Sequence, residues 1–128
     1  MPRAIEESLR YDGPVQATFR LAVEKTNLGG TDIEPGTGCF IMLAAANRDP
    51  SQFPNPDQFD ILRDPNDHVA FGGGIHYCIG APLARLEGVI AIGELLRRFP
   101  RLHLKSGREA HVQGFVFSAR SRLATNGA

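Results

Sequence analysis

The chain opens with apolar positions at helical spacing. Ile5 and Leu9 share a face, Pro2 suits a first helical turn, and Glu6 and Glu7 stand early, as acidic residues do at helix starts. Gly13-Pro14 ends that helix. The period then changes to two: Val15, Ala17, Phe19, Leu21 and Val23 alternate with polar residues and predict a strand. Asn27-Leu28-Gly29-Gly30 and Glu34-Pro35-Gly36 read as turns, and 39–43 is the best further strand, so this part predicts a small, hairpin-rich antiparallel sheet. One helical turn fits 44–48. Between Asp49 and Asn66, Pro50, Pro54, Pro56 and Pro65 exclude any regular element. A stretch this long is either disordered or an ordered functional loop; Phe53, Phe59, Ile61 and Leu62 are expected to anchor it, which favours order.

The strongest helix signal runs from Ala81 to about Phe99. It is apolar nearly all round between Val89 and Leu96, so it calls for burial on every side. Gly88 and Gly93 each cost about 1 kcal/mol relative to Ala in a helix and predict close packing against its backbone. Only one other convincing helix is present, and that mismatch raises the expectation that the chain is part of a longer protein. The tail, 101–122, reads as short strands with turns at Ser106-Gly107 and Gln113-Gly114, and the last six residues are expected to fray.

With 128 residues, the chain is one small domain or a piece of a larger one. Lys+Arg and Asp+Glu both number 14, which argues against a nucleic-acid binder or a polybasic membrane patch. The longest apolar run, 39–46, is too short to span a bilayer, and 1–10 mixes charges without the apolar core of a signal peptide. The cytoplasm is the expected location. Cys39 and Cys78 make no disulfide framework.

Chemistry concentrates in Phe71-Gly72-Gly73-Gly74-Ile75-His76-Tyr77-Cys78-Ile79-Gly80. A lone free cysteine is most often a small buried hydrophobe. Cys78, however, follows three glycines and immediately precedes a long helix. Glycine lets backbone approach a flat ligand closely, and a helix N-terminus favours a thiolate. Such a thiolate is a nucleophile or a metal ligand. Zinc lacks its ligand set, because there is no C-x-x-C and His68, His76, His103 and His111 are scattered. A nucleophile paired with His76 stays open but weak. A phosphate loop fails, because no Gly-Lys-Ser/Thr follows the glycines. A single axial thiolate to haem iron fits best, since it needs one Cys and an open face.

The pattern Phe71-x-x-Gly74-x-His76-x-Cys78-x-Gly80 resembles the cysteine-ligand loop of the cytochrome P450 family. The continuation from Ala81-Pro82-Leu83-Ala84-Arg85-Leu86-Glu87 is similar to the start of the helix after that loop in soluble bacterial members. Glu7-Ser8-Leu9-Arg10 resembles the family's Glu-x-x-Arg helix at the expected distance upstream, and Phe59-Asp60-Ile61-Leu62-Arg63 the segment that partners it. The resemblance covers about 5–104 and implies that 1–128 is the C-terminal haem-binding portion of a P450 domain, its N-terminal portion absent. The implied fold is an α+β fragment of a mostly α architecture: a Glu-x-x-Arg helix, a small antiparallel sheet, an irregular meander, the Cys-ligand loop and the long following helix.

The resemblance implies Cys78 as the axial ligand of haem b, with backbone N–H groups around Ile79 and Gly80 tuning the sulfur. Phe71 and Gly72 would lie against the ring, and His76 and Arg20 would reach the propionates. Glu7, Arg10 and Arg63 would form a buried structural triad, Arg63 acting as a bidentate lock on the proline-rich segment. Residues 15–18, and less strongly 115–117, would border the substrate side. No counterpart of the family's distal acid–alcohol pair is present, so no catalytic residue is assigned. The implied activity is haem-thiolate monooxygenation of a small organic substrate, with electrons from a donor such as a ferredoxin and its reductase. A non-catalytic or vestigial haem-binding fragment is the alternative. Arg85, Arg97 and Arg98 read as a solvated helix face before they read as a docking patch for an acidic donor.

Overall fold

The structure, a computed structural model, describes residues 1–102, 111–113 and 116–120. Helix α1 spans Pro2–Asp12, β1 Thr18–Leu21, β2 Thr26–Leu28, β3 Thr31–Ile33 and β4 Gly38–Ile41. A short α2 (Leu43–Ala46) precedes a long irregular segment, a 3-10 turn at Gly74–His76, α3 (Ala81–Arg98), β5 (His111–Gln113) and β6 (Ser118–Arg120). The expected turns at Ser106-Gly107 and Gln113-Gly114, Phe115 and the fraying end lie wholly or partly outside the described residues.

Among the described residues the strands form three separate antiparallel ribbons, β1–β4, β2–β3 and β5–β6, instead of one small sheet. The β2–β3 hairpin is inserted between β1 and β4, whose register sets Arg20 opposite Cys39 and Phe19 opposite Phe40. The alternation over 15–23 predicts one long strand, but β1 begins only at Thr18. Gln16 explains the difference: its N–H donates to Val116 O (2.8 Å) and its C=O accepts from Ala44 N–H (3.0 Å), so it serves other segments.

The buried centre is small and partly ionic. Among the described residues Ala17, Leu43, Phe53, Ala70 and Ala81 supply its apolar part, and the largest fully buried side chains are Arg10 and Glu7. The most deeply buried stripe of α1 is therefore the Glu7–Arg10 pair and not Ile5 and Leu9. Across the proline-rich segment, Phe53 is buried, whereas Phe59, Ile61 and Leu62 are exposed. Of the expected anchors Phe53 holds, and Phe59 meets Tyr11 only edge to face at 5.6 Å; backbone carbonyls captured by arginines supply the rest of the attachment, as described below.

Helix α3 crosses α1 where Ile5 packs on Gly88; a Cβ there would meet the Ile5 Cγ2 at 3.2 Å. Leu83, Leu86, Ile90 and Leu96 are exposed, and Ala81 is the one buried residue of α3. Close packing expected at Gly93 is not found: nothing lies within 4 Å of a Cβ built there. Gly93→Ala is accordingly expected to stabilise the chain by roughly 0.5–1 kcal/mol, from helix propensity and reduced unfolded-state entropy. A urea midpoint unchanged or lowered in that variant would contradict this.

Candidate haem-ligand loop and its ionic support

Backbone chemistry shapes the cysteine loop. Gly72 and Gly74 lie at φ of +73° and +60°, a region costly for residues with a side chain. A Cβ at Gly73 or Gly74 would meet nothing within 4 Å, so the glycine arm faces open space. The loop is closed by Cys78 N–H donating to Phe71 O at 2.9 Å, with Gly72 N–H on Val69 O (2.8 Å) and Tyr77 N–H on Gly74 O (3.1 Å). Cys78 is exposed, and its carbonyl accepts from Ala81 N–H at 3.1 Å where α3 begins. Gly80 is the N-cap of α3, and a Cβ there would stand 3.7 Å from the Cys78 Sγ.

Ile75 and Ile79 stand 98% and 100% exposed on either side of Cys78. One soft donor thus sits among apolar groups beside a glycine arm that presents no side chains. This arrangement fits a flat, apolar, thiolate-ligated macrocycle such as haem. Phe71 is half-buried behind the loop, and His76 is exposed at the end of the 3-10 turn. Arg20 is exposed on β1, its guanidinium bonded locally to Thr18 Oγ1 (3.1 Å) and Phe19 O (2.8 Å). Cys39 is half-buried on β4, far along the chain from the loop.

Glu7, Arg10 and Arg63 come together. Arg10 grips Glu7 with two parallel bonds, Nε to Oε2 and Nη2 to Oε1, both 2.8 Å. Arg63 Nε lies 3.3 Å from the same carboxylate. The bidentate fork therefore belongs to Arg10, and Arg63 is the longer contact, the reverse of the sequence expectation. Arg63 instead spends its donors on Pro54 O (2.8 Å), Asn55 O (3.2 Å) and Gln58 O (3.3 Å). Arg10 Nη1 takes Asn47 O and Pro56 O, both at 2.9 Å, and Nη2 also takes Gln58 O at 3.1 Å. Glu7 further accepts Asp60 N–H (2.8 Å) and Asn66 Nδ2 (3.1 Å). Burial pushes the Glu7 carboxyl up, but Arg10, the Asp60 N–H and Arg63 together hold it down at about 2.

A second ionic group went unrecognised in the sequence. Glu6 receives Arg85 through two bonds, Nε to Oε1 at 2.8 Å and Nη2 to Oε2 at 3.0 Å. His68 Nε2 lies 3.0 Å from Glu6 Oε2, and His68 Nδ1 accepts Ala70 N–H at 3.2 Å. Nδ1 is thus the acceptor and Nε2–H the donor, which fixes the neutral tautomer. Burial holds the His68 pKa below its ordinary value, with Glu6 opposing. Arg85 is no solvated docking cation: it is bound to Glu6, donates to the Tyr77 hydroxyl (2.8 Å) and lies over the Phe71 ring, 4.7 Å from its centroid. Arg97 and Arg98 pair with Glu94 on the exposed face. Asn47, also missed, is buried and caps Val69 N–H through Oδ1 at 2.8 Å.

These shifts set a pH dependence. Both folded-state values lie below the ordinary 6.5 of His and 4.5 of Glu. A depressed pKa means that protonation favours the unfolded chain, so stability is complete above each ordinary value and is lost as pH falls. Loss is expected to begin below pH 6.5 through His68, to steepen below 4.5 and to end near pH 2 with Glu7. The Glu7 part is on the order of 3 kcal/mol. Urea midpoints across pH 7 to 2 check this; Glu7→Gln should flatten the limb below pH 4.5.

The family model for cytochrome P450 matches residues 1–116. The biotin biosynthesis cytochrome P450 of Bacillus subtilis is 54% identical over 120 residues, 94% of this chain and 30% of that protein. The cytochrome P450 monooxygenase PikC of Streptomyces venezuelae is 56% identical over 102 residues, 79% of this chain and 24% of its own length. In three dimensions, the crystal structure of CYP109E1 from Bacillus megaterium with testosterone matches at a TM-score of 0.91 and 39% identity, over 96% of this chain and 34% of that one. The structure of P450BioI bound to an acyl carrier protein carrying hexadec-9Z-enoic acid matches at 0.89 and 48% identity, over 93% and 31%. The family match and the fold place the chain in one class: it belongs to the cytochrome P450 family. It spans about 30% of the length of the curated relatives it matches.

Proposed function

We propose that residues 1–128 form the C-terminal, haem-binding portion of a cytochrome P450 monooxygenase, with Cys78 as the axial ligand of haem b. The observation that carries this reading is the exposed Cys78 beside a side-chain-free glycine arm, flanked by the fully presented Ile75 and Ile79. When bound, the haem supplies oxygen activation, and thiolate donation favours O–O cleavage. The chain's own residues bind and orient it. Phe71, Gly72 and Gly80 shape the approach to the sulfur, and N–H groups at Ile79 and Gly80 tune it. His76 and Arg20 would hold the haem propionates through charge-assisted bonds. Glu7, Arg10 and Arg63 fix the irregular segment onto α1 and take no part in the chemistry.

The activity of the whole protein is insertion of one oxygen atom into a small organic substrate, with electrons from a ferredoxin-type donor and its reductase. Its site of action is the cytoplasm; among the described residues no helix is long and apolar enough to cross a membrane. The test is the absorption spectrum of the purified chain with added haem, reduced under carbon monoxide. A Soret band at the red-shifted position of thiolate-ligated haem is the expected result. Free haem or a blue-shifted complex would limit the chain to a vestigial role.

A further inference from the structure

We propose that Arg85 is the positioning residue of the cysteine loop, a single guanidinium that ties both arms of the loop to α1. Four contacts meet on it. Its own backbone is in α3, directly after the loop. Its Nε and Nη2 hold Glu6 of α1 at 2.8 and 3.0 Å. Its Nη1 donates at 2.8 Å to the hydroxyl of Tyr77, the residue before Cys78. Its guanidinium carbon lies over the ring of Phe71, where the loop begins, 4.7 Å from the centroid.

Phe71 and Tyr77 also meet edge to face at 6.3 Å, and Phe71 O accepts the Cys78 N–H. Arg85 therefore closes from the side-chain side the same ring that this backbone bond closes from within. Glu6 is held in turn by His68, whose Nδ1 accepts Ala70 N–H immediately before Phe71. The geometry uses what Arg has and Lys lacks: a planar fork for the carboxylate, a further donor for a hydroxyl and a flat face for an aromatic ring. A charge alone does not replace it.

The role concerns the same loop as the proposed haem ligation, and one of its two readouts is independent of haem. In the unaltered chain, hydrogen exchange at the Cys78 amide should be protected. Arg85→Lys should speed that exchange roughly tenfold, the effect of losing about 1.4 kcal/mol of local stability. Tyr77→Phe, which removes only the hydroxyl, should act in the same direction by roughly threefold, and it keeps the test alive if Arg85→Lys does not fold. Amides of α1 and the urea midpoint should change far less, and Arg97→Lys should change nothing. In the haem-loaded chain, Arg85→Lys should shift the carbon monoxide complex from the thiolate band toward the blue-shifted one. Unchanged exchange at Cys78 in both variants overturns the proposal. So does equal acceleration throughout α1, which marks a merely structural role. Faster Cys78 exchange in a chain that never gives the thiolate band upholds the brace and overturns haem ligation.

Discussion

Arg10→Met should destabilise the chain by about 3–5 kcal/mol, enough to leave much of it unfolded at 25 °C. All five guanidinium N–H donors are used: on both oxygens of Glu7, and on the carbonyls of Asn47, Pro56 and Gln58. The substitution nearly keeps the volume but takes the bidentate partner from a buried carboxylate, leaving it Arg63, the Asp60 N–H and Asn66, and leaves the Asn47 and Pro56 carbonyls without their donor. Replacing a buried ion pair with apolar side chains is often harmless, and that sets up a sharper test. The double variant Glu7→Leu, Arg10→Met removes that charge, yet the Asn47 and Pro56 carbonyls and the Asp60 N–H still lose their partner, and Gln58 O keeps only Arg63. It should therefore recover only part of the loss. Arg63→Met should cost less than Arg10→Met, because its contact with Glu7 is longer and its remaining bonds are exposed. Circular dichroism in urea checks the series. A full recovery in the double variant would mean that Arg10 serves only its ion pair.

How much of this could be read beforehand depends on the range of the interaction. Helices α1 and α3 follow from local signals, a Pro in the first turn of each and apolar spacing, and their observed bounds agree with the prediction to within a residue. The glycine-rich turn leading into α3 was legible for the same reason, because its glycines and the helix after it are consecutive. The ribbons were only half legible: alternation marks strands but not partners, and Gln16 spends its backbone on Val116 and Ala44. For the proline-rich segment, hydrophobicity pointed the right way at Phe53 alone. Phe59, Ile61 and Leu62 look like anchors, but carbonyls cannot be seen in a sequence, and they are what Arg10 and Arg63 bind. The Glu6–His68–Arg85 group was not legible at all. Its members lie 62 and 79 positions from Glu6, and adjacent Glu6 and Glu7 give no local sign that each has its own arginine.

Cys78→Ala should abolish the thiolate-type carbon monoxide band completely, while Cys39→Ser leaves it unchanged. The contrast rests on placement. Cys39 lies on β4 opposite Arg20, half-buried, in a strand that makes no contact with the loop's hydrogen bonds. Cys78 is exposed at the head of α3, whereas the other free thiol, Cys39, is half-buried on β4. A haem bound weakly through His76 would still absorb in Cys78→Ala, but at the blue-shifted position of nitrogen ligation, so the readout separates loss of the ligand from loss of binding. Folding should survive, because the bond that closes the loop is made by the residue 78 N–H and not by its sulfur. Circular dichroism of Cys78→Ala should therefore match the unaltered chain. A thiolate band persisting in Cys78→Ala would overturn the assignment of the ligand. A band lost in both single variants would mean that Cys39 shapes the haem site through Arg20.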